Sequence, residues 1–96
     1  MKAMSTVVLE IGKNTGALIL YTPVELDERE IEISRAGASA RTHSQVHRRQ
    51  TSTATVYAAV YPDLPAGDYT IWRDAHNRAT TTTVTGGAVT TCHWPD

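Results

Sequence analysis

The chain has no phenylalanine, a single cysteine, and only two lysines, Lys2 and Lys13. One cysteine, Cys92, excludes an intrachain disulfide, and no Cys-x-x-Cys pair is present to clip a metal. No apolar run approaches the roughly 20 residues that a membrane helix requires. The run Val7-Val8-Leu9 stops at Glu10, too short for a secretory signal. These absences predict a reduced, cytoplasmic, soluble protein with no membrane span. A formal net charge of −1 lacks the basic excess of a nucleic-acid binder. Helical periodicity is missing too: no window repeats apolar residues at i, i+3, i+4 and i+7 over three turns.

What is present is β-branched. Threonine is the commonest residue, with valine and isoleucine prominent, and such side chains suit a pleated surface and resist helices. Ninety-six residues make one domain, 1–96, with one modest core. The clearest local signal is Leu64-Pro65-Ala66-Gly67-Asp68-Tyr69-Thr70-Ile71-Trp72. Pro65 pre-sets φ, Gly67 can take positive φ, and the strand that follows turns Tyr69 and Ile71 to one face.

Turn signals recur about every 8–12 residues, the rhythm of a sandwich or barrel. Strands are predicted over 5–11, 17–21, 29–34, 41–49, 54–61, 68–73, 80–84 and 88–94. Residues 24–28 fit one helical turn. Ile31 and Ile33 point in while Glu30 and Glu32 point out. The 54–61 strand is apolar on both faces, as a central strand is, and Gly86-Gly87 reads as a tight hairpin joining the last two strands. The fold class is all-β: a two-sheet antiparallel Greek-key sandwich of seven or eight strands. Tyr57, Tyr61, Tyr69, Trp72 and Trp94 are available to fill a layer about 10 Å thick.

The most polar strand, 41–49, is the candidate site. With a period of two, Arg41, His43, Gln45, His47 and Arg49 share one face. His43 and His47 lie roughly 13 Å apart along a strand, too far to share one ion, so no metal is assigned. If 29–34 and 41–49 form a hairpin, Glu32 falls near His43 and Glu28 near His47, and such pairs set register as readily as they bind a ligand. The ligand reading gives this face a small anionic molecule or a protein partner. A sandwich this small would build a pocket mainly at an oligomer interface, so homo-oligomer formation goes with any enzymatic reading.

Nucleophilic catalysis has little support. Gly37-Ala38-Ser39 lacks the second glycine and following helix of a nucleophile elbow. Cys92 and His93 are strand neighbours whose side chains diverge, which suits a structural thiol. No Gly-rich phosphate loop precedes a helix, and no cofactor is expected.

The stretch from Ala58 to Trp72, Ala-Ala-Val-Tyr-Pro-Asp-Leu-Pro-Ala-Gly-Asp-Tyr-Thr-Ile-Trp, resembles prealbumin-like (transthyretin-like) modules. It is similar to carboxypeptidase regulatory domains and to the B-type repeats of bacterial surface adhesins. Over its length the chain also resembles small stand-alone actinobacterial proteins, sometimes labelled phospholipases, with their Gly-Ala-Leu-Ile, Glu-Ile-Glu-Ile-Ser and Arg-Thr-His strands. The resemblance implies a prealbumin-like sandwich. The terminal Cys92-His93-Trp94-Pro95-Asp96 differs from the Tyr-Arg-Gly-Ser tail of the hydroxyisourate hydrolases in this class, and Lys2 and Lys13 fit no isopeptide motif. A non-enzymatic interaction or ligand-binding module is therefore expected, with a small hydrolase or metal-dependent enzyme centred on 41–49 as the alternative.

Overall fold

Alternating apolar residues and closely spaced turns produce two stacked sheets in the computed structural model, which describes residues 14–95. The elements are β1 (Thr15–Thr22), a 3-10 turn (Val24–Leu26), β2 (Glu30–Arg35), β3 (Thr42–Gln45) and β4 (His47–Gln50). These are followed by β5 (Thr55–Pro65), β6 (Gly67–Trp72), β7 (Arg78–Val84) and β8 (Val89–His93). One sheet, here sheet A, has the order β4-β5-β1-β8; the other, sheet B, has the order β3-β2-β6-β7. The protein is a two-sheet β-sandwich. The strand predicted over 5–11 lies outside the described residues.

The core forms where the inner faces meet: Leu18, Leu20, Ile31, Ile33, Val46, Tyr61, Leu64, Tyr69, Ile71 and Val84 are buried. Two hydroxyls tie the layers together. Tyr61 on β5 donates to the Ile31 carbonyl on β2 at 2.7 Å, and Ser44 on β3 donates to the Val60 carbonyl on β5 at 2.7 Å. Both replace water with a protein acceptor, so the hydroxyls enter the interlayer space without an unmet hydrogen bond. Tyr57 and Trp94 are partly buried against the same cluster, as is Cys92. Trp72 differs from the expected core packing. Its indole donates to Ser34 Oγ at 2.9 Å, and it lies under the Arg41 guanidinium, 3.8 Å from the ring centre.

The Leu64–Gly67 turn crosses from one sheet to the other. Tyr69 is 4 % exposed and Ile71 fully buried, and the Tyr69 hydroxyl donates back to the Pro65 carbonyl at 2.6 Å. Gly67 takes φ +149°, and a Cβ there would sit 2.7 Å from Arg35 Nε. Arg35 uses that space, donating to the Ala66 carbonyl at 2.6 Å and closing the turn.

Three expectations change. Residues 41–49 are not one strand: β3 pairs with β2 in sheet B and β4 pairs with β5 in sheet A. Val46, fully buried, is the crossing point. Gly86-Gly87 is a turn but not a hairpin, because β7 and β8 belong to different sheets. β8 instead pairs with β1 in parallel, Ala17 opposite Val89 through Tyr21 opposite His93, so sheet A is not wholly antiparallel. Gly16 makes the crossover feasible: a Cβ there would collide with the Thr85 carbonyl oxygen and lie 2.9 Å from that of Ala88.

Candidate functional site

The crossing at Val46 separates the five predicted site residues. Arg41, His43 and Gln45 lie on sheet B, whereas His47 and Arg49 lie on sheet A. Every odd-numbered residue still points away from its own sheet's partner layer. Because the sheet changes, that direction is the opposite side of the sandwich, and the structure does not bring the five together.

The sheet B group is tied up within the fold. Arg41 Nη1 meets Glu32 Oε1 at 3.0 Å, and Nη2 donates to the Ala75 carbonyl at 2.9 Å. With its stack on Trp72, Arg41 pins the loop 73–77 to the outer face of sheet B. Inside that loop the Asp74 carboxylate accepts from the Asn77 side chain and from the backbone amides of His76 and Asn77, between 2.8 and 3.1 Å. Those hydrogen bonds, the Asn77 side chain foremost, lower the Asp74 pKa to about 2. His43 stands opposite Glu32, as expected, but its Nε2 is nearer Glu30 at 3.7 Å. Gln45 Nε2 donates to the Glu28 carbonyl at 2.9 Å. A cavity of about 250 Å³ beside this group is lined by Arg29, Glu30, Glu32, Trp72, Arg73, Asp74 and Ala75, with carboxylates and guanidinium groups side by side. Charges already paired in this way serve register and loop anchoring.

Sheet A is different. Register places His93, Tyr21, Ala58 and His47 in one row across its outer face, with Val56 and Arg49 adjacent in the next. Ile19 and Val60 form the row on the other side. The Tyr21 and His93 rings stack with centroids 5.2 Å apart. Ala58 points away from the core yet is fully buried, because the larger side chains of its row close over the small residue. Between the aromatic pair and β5 lies an open depression of about 420 Å³ lined by Tyr21, Thr22, Thr55, Val56, Tyr57 and His93. No carboxylate among the described residues lines it. Among the described residues, His47, Arg48 and Arg49 form no ion pair with an acid; Arg49 Nε makes one long contact, 3.3 Å to the Ala58 carbonyl. Glu28 and His47 form no ion pair; the Glu28 amide instead donates to the Val46 carbonyl at 2.9 Å.

Sequence reasoning found His47 and Arg49 but missed Tyr21, Val56 and His93. The available signal was the 54–61 strand, apolar on both faces: in a two-layer protein its second apolar face must meet something other than the core. Cys92, one residue from His93, turns inward and packs at the core edge, so the two side chains diverge as expected. Among the described residues, no three His, Cys, Asp or Glu side chains converge as metal ligands do.

No protein-family profile matches the chain, and comparison with curated proteins and with solved structures likewise gives no match.

Proposed function

We propose that the protein is a prealbumin-like β-sandwich binding module, not an enzyme, and that it holds a ligand with an apolar body and an anionic group against the outer face of sheet A. The observation that supports this reading most is the pairing of an apolar depression with unneutralised cations. Tyr21, Val56 and His93 supply the apolar wall, and Arg49 and His47 stand beside it, with no acid among the described residues that line it. A volume of about 420 Å³ suits one ring with a short side chain. An apolar group there would cover Val56 and the exposed ring faces, and its carboxylate would reach the Arg49 guanidinium in a charge-assisted hydrogen bond. The ligand's source, a free small molecule or an acidic side chain of a partner protein, shares this chemistry.

The experiment is an amide-shift titration of the protein with 3-phenylpropionate, repeated with the neutral 3-phenylpropanamide. Shifts are expected at Tyr21, Val56, Arg49 and His93, with the amide binding about tenfold more weakly, the loss of one hydrogen bond between charged partners. Arg49→Ala should weaken the acid to the level of the amide. Shifts gathered instead around Arg41 and Trp72, or equal affinity for acid and amide, would refute the assignment.

A further inference from the structure

The two flanks of the sandwich are protected unequally. On one flank the sheets end in β3 and β4, four residues each, bearing His43, His47, Arg48 and Arg49. On the other they end in β7 and β8. β7 spans seven residues, and its one charge is Arg78 at the first position. Ladder irregularity opposite Trp72 confines the bulge to Ala79, which leaves Thr80–Val84 in regular register with Gly67–Ile71. Edge strands in monomeric proteins usually carry charge, proline or a bulge where pairing must be prevented, and Thr80-Thr81-Thr82-Thr83-Val84 carries none of these. Its outer backbone groups meet no strand among the described residues.

We infer that β7 is the edge at which a second copy of this chain adds, antiparallel about a two-fold axis at Thr81, joining two four-stranded sheets into one. The choice of a second copy rests on self-compatibility. The two-fold sets Thr81 against Thr81 and Thr80 against Thr82 within the regular segment, and brings Thr83 and Val84 toward the bulged Ala79 and Arg78 of the other copy, so no like charges meet. Threonine pairs across strands are favourable. The same operation on β4 would set Arg48 against Arg48 and His47 against Arg49, which like-charge repulsion opposes. An isologous contact through β7 pairs the same edge of both copies and closes at two, so it does not itself propagate. The inference is independent of the ligand reading, because β7 belongs to sheet B and the depression to sheet A.

The test is the mass of the full chain in solution across a concentration series, by light scattering or sedimentation, for wild type, Thr81→Lys and Thr81→Glu. Thr81 is exposed, so both variants should retain the wild-type circular dichroism. The expected result is a wild-type mass that doubles with concentration, each variant alone monomeric, and an equimolar mixture of the two variants dimeric again. A wild type that stays monomeric up to millimolar concentration would overturn the proposal. So would a dimer that both variants leave intact, which would place the contact elsewhere.

Discussion

Tyr69 shows how much one side chain does in this fold. It sits at the start of β6, 4 % exposed, with its ring in the interlayer core and its hydroxyl bonded to Pro65 four residues upstream. Burial raises its pKa, and the Arg35 guanidinium partly offsets that effect. Two substitutions separate its roles. Tyr69→Phe should cost about 1 kcal/mol, the net worth of one hydrogen bond, while Tyr69→Ala should cost about 3–5 kcal/mol through the lost ring and the cavity left behind. Denaturant melts of both variants measure this, and equal costs would mean that the hydroxyl, not the ring, holds the turn. Glu28 is notable at the same scale: it takes φ 69°, uncommon outside glycine, as the chain leaves the 3-10 turn. Its amide donates to the Val46 carbonyl at 2.9 Å, so the strained residue helps place the strand crossing.

At the scale of elements, the passage from β3 to β4 governs the functional surface. Val46 makes two backbone bonds to the stretch before β2, donating to Arg29 and accepting from Glu28, both at 2.9 Å. Its side chain is fully buried. The chain then leaves sheet B and resumes pairing in sheet A. Val46→Ala should therefore cost about 2–3 kcal/mol, since two buried methyl groups are lost and the core must partly collapse around them. Arg48→Ala, two residues on and exposed, should stay within about 0.5 kcal/mol of wild type. Comparable losses for the two would imply one continuous strand with no buried pivot. The crossing also separates the two basic clusters: Arg41 becomes a clamp on the 73–77 loop, and Arg49 is left beside a depression that no acid among the described residues lines.

For the molecule as a whole, stability should depend on pH at the alkaline end. The Tyr61 hydroxyl lies between the sheets, and burial pushes its pKa well above the usual tyrosine value of 10.0. A group whose folded-state pKa is raised contributes stability that is fully present below the unfolded value and is lost as pH rises toward the folded one. The loss should begin near pH 10, where tyrosine in the unfolded chain starts to ionise. Tyr61→Phe should cost about 1 kcal/mol at neutral pH, from the missing bond to Ile31, and should flatten this alkaline decline. Melting temperatures of both proteins from pH 7 to 11 provide the check. An equally steep fall in the variant would assign the alkaline dependence to other groups.

Local chemistry made much of this architecture legible. Alternation in Glu30-Ile31-Glu32-Ile33 and in Tyr69-Thr70-Ile71 told inside from outside, and Pro65 and Gly67 marked the turn between them. Even in the divided segment the parity held: odd residues from Arg41 to Arg49 face outward. Pattern has no term for which layer a strand joins, because both inner faces offer the same apolar surface and bury a valine or isoleucine equally well. That choice rests on long-range pairing: β4 beside β5, and β8 parallel to β1 in place of a hairpin with β7. It placed His47 and Arg49 on the opposite side from Arg41 and His43, and it set His93 beside Tyr21 from residues some seventy positions apart. In-or-out is written along the chain in steps of two, whereas the grouping of outward residues depends on contacts between distant strands that no local window contains.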